Sequence, residues 1–220
     1  MSDVAPDIRA FADRHGLALP AGAADRLAAY VTLIEEANTA MNLVGPLPTH
    51  RLVRELICDS LMPLVLTPTL TGPVVDVGTG AGLPGIPLAI ANPDTPFVLV
   101  EPRDRRFRFL GRAIRRLNLT NVQRLLGRIE DVSLPSVQSA VSKAFAPVPQ
   151  WLDIGAALLP AGGTLFLLCA ADDAPGPDPR FVLIAKHRYQ WDQDSPDRVV
   201  MMMQRSSNAS TQHRDSEHTR

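Results

Sequence analysis

Asp76, Gly78, Gly80, Gly82 and Gly85 fall together in the stretch "VVDVGTGAGLPGIPLAIA" (74–91), and Glu101 follows at the end of "FVLVE". A run of strand formers ends in an acid, a glycine-rich turn follows, and an apolar run with two early prolines comes next. Glycine permits positive φ and close backbone approach, so such a turn can aim N–H groups at a ligand. Gly80 to Gly85 satisfies G-x-G-x-x-G, a pattern shared by many nucleotide sites. No Gly-Lys-Ser/Thr follows, which excludes a P-loop. Asp76, two residues before Gly78, would lie near the pyrophosphate of a dinucleotide, where a carboxylate is unfavourable. Beside the ammonium of a methionine moiety it is favourable. Glu101 stands where an acid meets the ribose hydroxyls of either kind of nucleoside. Glu101 therefore supports a nucleoside without choosing one, and Asp76 favours a sulfonium nucleoside.

Other chemistries lack their residues. The five histidines, His15, His50, His187, His213 and His218, are scattered and show no metal-ligand spacing. Neither a Ser/His/Asp set nor a pair of carboxylates placed for proton transfer stands out, so no catalytic acid, base or nucleophile and no metal is expected. Cys58 and Cys169 are far apart, without a CxxC spacing, which fits a reducing cytoplasm. The N-terminus lacks a basic-then-apolar signal pattern, and no apolar run approaches the roughly 20 residues that span a bilayer.

The elements that must position the acids and glycines are legible from periodicity. Residues 1–71 read as a helical extension. "AADRLAAYVTLIEEANTAMN" places Leu27, Val31, Ile34 and Ala37 or Asn38 on one face, and "THRLVRELICDSLMPLVL" predicts a second amphipathic helix with Thr49 as N-cap. From residue 72 to 204, strands alternate with helices. Strands are expected at "PVVDVG", 97–101, 122–126, 139–144 and 163–171, with helices at 84–91, 104–118 and 149–159. This alternation predicts βαβ units and a mostly parallel sheet. Residues 172–180 are too short and proline-rich for a crossover helix, so 181–191 and 198–204 are expected to pair antiparallel at the sheet edge. Residues 205–220 hold no aliphatic side chain larger than alanine and read as a disordered tail.

Hydrophobic residues make up 45% of the 220, enough for a substantial core. The net charge of −1 conceals an asymmetry: nine arginines and one acid between Arg103 and Arg128 give that segment +8, leaving −9 elsewhere. At 100° per residue, Arg105, Arg108, Arg112, Arg115 and Arg116 share one side of the helix. Phe107, Leu110, Ile114 and Leu117 share the other. The cationic side offers salt-dependent attraction to phosphate. Phe109, on its flank, is expected to pack.

"DVGTGAGLPGIPLAI", "VEPRDRRFRFL" and "NVQRLLGRIEDV" resemble the bacterial small-subunit rRNA guanine-N7 methyltransferases called RsmG or GidB. The similarity runs from about Asn38 to Gly163 and is densest between Asp76 and Glu130. The Leu-Pro-Gly-Ile-Pro continuation is far more specific than the glycines alone. The resemblance implies an α/β, Rossmann-like class I S-adenosylmethionine-dependent methyltransferase fold. That fold has a mostly parallel sheet, an antiparallel last strand and, in this family, an N-terminal helical extension. It implies S-adenosyl-L-methionine as methyl donor and a guanine of 16S rRNA near the decoding site as acceptor, on bare rRNA or a small-subunit particle. A cytoplasmic monomer is expected, without membrane or metal.

The expected cofactor-binding residues are Asp76, Gly78, Gly80, Gly82, Leu83 and Glu101; carried over by position from the family, Gly78 and Leu83 line the cofactor through the loop, and Ile129 and Glu130 meet the adenine end. Lys143, in "SKAF", stands where the family has arginine, and is expected to steady the cofactor carboxylate or an RNA phosphate. Arg105, Arg108, Arg112 and Arg115 are the expected RNA contacts. After the fifth strand the family's lysine-glycine pair and helix are replaced by "LLCAADDAPGPDPR". Two other readings stay open on these residues: a same-fold methyltransferase with another acceptor, and a relative that binds rRNA or cofactor with weak turnover.

Overall fold

The structure is a computed structural model and describes residues 3–192 and 195–207. Five strands run parallel: β1 (Val74–Val77), β2 (Phe97–Glu101), β3 (Val122–Leu126), β4 (Ser139–Val141) and β5 (Thr164–Ala170). β6 (Phe181–Tyr189) and β7 (Arg198–Arg205) form an antiparallel pair, and β7 lies antiparallel against β5. The order across the sheet is β3-β2-β1-β4-β5-β7-β6. The fold is therefore the Rossmann-like, mostly parallel sheet with an antiparallel last strand that the sequence pattern predicts. Val77 pairs with Val100 in register, so the turns leaving β1 and β2 emerge side by side.

Period-two alternation divides the strand side chains between two cores. Val74, Phe97, Leu99, Val141 and Phe166 face one cluster, and Val75, Val77, Val98, Val100 and Leu165 face the other. The first core is roofed by α1 (Ala5–Arg14), α2 (Ala23–Asn38), a helical turn α3 (Thr49–Arg51) that runs into the π-helical stretch Leu52–Cys58, α4 (Pro63–Leu66), α5 (Gly85–Ala91) and α6 (Asp104–Arg116). The second is covered by α7 (Val148–Leu158), through Trp151 and Leu152. Leu27, Ile34 and Ile57 are wholly buried, each stabilising the fold by about 1.5–3 kcal/mol.

Several boundaries differ from expectation for local reasons. Thr49 is the first helical residue rather than the cap. Pro48 takes the extended entry position (φ −58°, ψ 149°), and the Thr49 hydroxyl donates instead to Glu35 Oε1 at 2.6 Å. The second amphipathic helix is not one α-helix. Its buried pairs Leu52/Val53 and Ile57/Cys58 recur at a spacing of five, which a π-helical winding keeps on one face. β4 stops at Val141, and Ala144 at φ +51° then turns the chain sharply. Arg205, expected in the tail, closes β7 opposite Phe181, and its N–H donates to Gly163 O at 2.8 Å. The tail reading for 208–220 lies outside the described residues.

Candidate functional site

The loop after β1 is built on left-handed glycines: φ is +66° at Gly78, +60° at Gly80 and +97° at Gly82. A Cβ on Gly82 would come within 2.5 Å of the Ile86 side chain and 2.8 Å of the Tyr30 hydroxyl, so both conformation and space demand glycine. The Tyr30 hydroxyl, fully buried on α2, donates to Ala81 O and ties the helical segment to the loop. Gly82 N–H and Leu83 N–H both donate to Thr79 O, at 2.8 and 2.9 Å, and Leu83 leads into α5.

Two buried acids support this loop from behind. Alternation along β1 turns Asp76 away from Val75 and Val77, toward the helix-roofed side. Its Oδ2 accepts from Gly85 N–H at 2.8 Å and from the Thr79 hydroxyl. Its Oδ1 is buried and has no hydrogen-bond partner among the described residues. Burial pushes the Asp76 carboxyl up to about 7, against the pull of the Thr79 and Gly85 hydrogen bonds. Glu101 is 2% exposed; its Oε2 accepts from Gly80 N–H at 2.9 Å and its Oε1 from Arg103 N–H at 2.8 Å. One carboxylate thus joins the glycine loop to the start of α6.

In front of the loop lies a cavity of about 520 Å³ at the carboxyl ends of β1 and β2, within the range typical of small-molecule sites. Gly78, Val100, Ile129, Glu130 and Phe145 contribute to its walls. Of the residues expected from sequence, Gly78, Ile129 and Glu130 line this cavity. Asp76, Gly80, Gly82, Leu83 and Glu101 form the loop and its backing. A second cavity, of about 480 Å³, opens at the carboxyl ends of β4 and β5 and is bordered by Ser142, Trp151, Cys169, Asp173 and Arg198. Ala146 borders both. Phe145, which the sequence reading missed, packs its ring so closely on Gly78 that a Cβ there would lie 2.1 Å from it.

Lys143 is not at either cavity. β4 alternation carries it to the helix-roofed side, where its ammonium lies 2.6 Å from Asp59 Oδ2 and donates to Glu55 O. The expectation that Lys143 meets the cofactor or an RNA phosphate is corrected by this pairing. Asp59 is completely buried; its Oδ1 also accepts from Tyr189 (2.6 Å), Trp191 Nε1 (2.8 Å) and Arg198 Nε (3.1 Å). Burial alone would raise its pKa, but Lys143 and Arg198 overcome that and hold the carboxyl below the usual carboxylate range. Nothing in the local sequence around Asp59 signalled this cluster, because its partners are distant in the chain, beginning with Lys143 at 84 residues. The separations to Tyr189, Trp191 and Arg198 are 130, 132 and 139 residues.

On α6, Arg105, Arg108, Arg112 and Arg115 are exposed, and Arg108 pairs with Asp104 at 2.7 Å. Phe109 and Leu110 are buried beneath them, while Phe107 is half-buried under the Arg124 guanidinium, 3.8 Å from its ring centroid. The cationic face is thus exposed along the helix, with the Arg112 guanidinium 5.8 Å from the centroid of the buried Phe109 ring.

The family model of GidB, rRNA small subunit methyltransferase G, matches residues 23–175. Among curated proteins, the ribosomal RNA small subunit methyltransferase G of Glaesserella parasuis is 41% identical over 129 residues, covering 58% of this chain and 62% of that protein. The protein of the same name from Yersinia enterocolitica is 40% identical over 140 residues, covering 62% and 66%. The chain spans about three fifths of the length of the first of these relatives. Two solved structures share the fold: an O-methyltransferase from Bacillus cereus in complex with SAH, and the O-methyltransferase TomG from Streptomyces achromogenes in complex with SAM. The first has a TM-score of 0.55 at 14% identity, covering 80% of this chain and 91% of that one. The second has 0.53 at 14%, covering 82% and 89%.

Proposed function

Because the chain belongs to the rRNA small subunit methyltransferase G family, we propose that it methylates N7 of a guanine in 16S rRNA, with S-adenosylmethionine as donor. The observation that carries this reading is the buried Asp76 with one unpartnered oxygen, set behind a left-handed glycine loop that opens on a cavity of nucleoside size. An unpaired buried carboxylate is unfavourable unless a cation is brought near it. A sulfonium nucleoside with an amino-acid end brings two. The glycine N–H groups approach that amino-acid end, Glu101 exchanges its loop hydrogen bond for ribose hydroxyls, Ile129 packs on the adenine, and Glu130 lies at its rim.

When bound, the donor supplies an electrophilic methyl group on sulfur. Guanine N7 holds an in-plane lone pair, so the N7–C bond forms as the C–S bond breaks. The sulfonium charge passes to the purine, and no proton leaves in that step. The protein therefore needs no general base. Its residues act by holding two reactants in line and excluding water. This accounts for a site of glycines, backing acids and cavity walls without a nucleophile.

We further propose that residues 72–204 form the methyltransferase domain and 1–71 an extension that braces it. The exposed arginines of α6 would meet RNA phosphates, and the protein would act as a cytoplasmic monomer on rRNA or a small-subunit particle. No described helix is long and apolar enough to cross a membrane. The deciding experiment is mass spectrometry of 16S rRNA from a deletion strain, with and without the gene restored. N7-methylguanosine should vanish and return. Its persistence without the gene would refute the proposal.

A further inference from the structure

We infer that the cavity at the ends of β4 and β5 seats the acceptor guanine, and that Asp173 selects it by accepting from its N1–H and 2-amino groups. This rests on the function proposed above. Neighbouring strands lie about 4.8 Å apart, and the order β2-β1-β4-β5 lays three features along one sheet edge. The cofactor cavity stands at the ends of β1 and β2, Ala146 is common to both cavities, and Asp173 follows β5. Guanine carries N7 on its imidazole side and N1 and the 2-amino group on the opposite edge. A base that turns N7 toward the donor, past Ala146, therefore turns its N1 edge toward the end of β5.

A carboxylate waits there. Asp173 ends the 3-10 turn Ala171–Asp173, whose first N–H donates to Asp197 O at 2.9 Å, so the turn is anchored to the approach of β7. The Asp173 side chain is exposed and makes no hydrogen bond or ion pair with the described residues. Arg198, at the same cavity, has its Nε engaged by Asp59, and Asp173 is the acidic residue among those that border the cavity. Ser142 borders it too and can donate to O6.

The chemistry of the pair is selective. Guanine offers two parallel donors to a carboxylate, whereas adenine offers a lone pair at N1, which a carboxylate repels. Methyl transfer to N7 also places positive charge on the purine and makes N1–H a stronger donor. The hydrogen bonds to Asp173 therefore tighten in the transition state, and the residue contributes to turnover as well as binding.

The test uses small subunits reconstituted around 16S rRNA with guanosine or inosine at the modified position. Inosine lacks only the 2-amino group. Methyl transfer is followed for the wild-type protein, Asp173→Ala and Asp173→Asn. With wild type, inosine should lower kcat/KM by about tenfold, the worth of one hydrogen bond to a charged group. In Asp173→Ala, turnover on guanosine should fall by about 10–100-fold and the penalty for inosine should disappear, while calorimetry shows unchanged S-adenosylmethionine affinity. Asp173→Asn, which can pair with only one of the two donors, should fall between. An Asp173→Ala protein that still discriminates against inosine as wild type does would overturn the inference. A wild-type protein that binds S-adenosylmethionine but leaves the guanosine subunit unmethylated would overturn the proposed function, and the guanine subsite with it.

Discussion

Asp59 and Asp76 are both fully buried, both on the helix-roofed side of the sheet, and their surroundings are opposite. Around Asp59 stand two cations and two neutral donors, Lys143, Arg198, Tyr189 and Trp191, drawn from β6, β7 and the segments that follow β4 and β6. The charge is satisfied, the carboxyl is held below its usual range, and the cluster joins the helical segment to the far half of the sheet. Around Asp76 there are only neutral donors, one oxygen stays unpartnered, and the carboxyl is pushed up to about 7. A carboxylate with its cations already in place is structural. One without them can receive a cation from a ligand. The family's arginine position, occupied here by Lys143, belongs to the first kind of surroundings: its ammonium is paired with Asp59.

The comparison breaks most sharply at Asp59. Asp59→Ala leaves Lys143 and Arg198 buried without their counter-charge and should destabilise the protein by about 3–5 kcal/mol, read from urea unfolding. A loss below about 1 kcal/mol would mean that the cluster is not what joins the two halves.

Asp76 comes next, and its pH dependence has the opposite sign. In the unfolded chain the carboxyl releases its proton near 3.8, but in the fold near 7. Between these values the folded state holds the extra proton, so stability falls as pH rises from about 4 to about 7, on the order of 4 kcal/mol in all. Asp59, depressed in the fold, contributes stability that is present above the ordinary carboxylate pKa and is lost as pH falls through its folded value. Asp76→Asn should flatten the slope between about 4 and 7 and leave the acid side unchanged. It should also weaken S-adenosylmethionine binding by tenfold or more. In the wild type that affinity should strengthen as pH rises through about 7, because the cation binds the ionised form. Affinity that ignores pH would separate Asp76 from the ligand's charge.

Tyr30→Phe probes how the helical segment supports the Asp76 region. It leaves the Ala81 carbonyl without its donor, for a loss of about 1–3 kcal/mol, and should speed amide exchange within residues 78–85. The smallest effect on stability belongs to α6. Arg112→Glu with Arg115→Glu, both on exposed positions, should change unfolding by no more than about 0.5 kcal/mol each. It should weaken rRNA binding most at low salt. Affinity unchanged from the wild type at both low and high salt would take α6 off the RNA surface.

Much of the fold was readable because its signals are local. β2 and β3 begin and end where alternation and flanking turns put them, and the glycines of 78–82 announce a left-handed loop by composition alone. The arginine face of α6 follows from 100° spacing, and Phe109 is buried, as expected of it. The π-helical stretch was missed because a five-residue spacing of Leu52/Val53 and Ile57/Cys58 is compatible with an α-helical reading until the packing on the sheet is known. The early end of β4 depended on the left-handed turn at Ala144, a residue type that does not advertise one.

The sequence by itself determined the strand-loop-helix unit around Asp76, the parallel alternation, and the family to which the chain belongs. All three rest on residues close in the chain or on their period. Only the tertiary structure decided which way the long side chains point and whom they meet. Lys143 was legible as a cation near the end of a strand, but β4 alternation and the distant Asp59 took it from the ligand side. Phe145 on Gly78 and Asp173 at the second cavity were equally invisible. Their neighbours come from other strands, and a site assembled by sheet order leaves no spacing in the sequence to find.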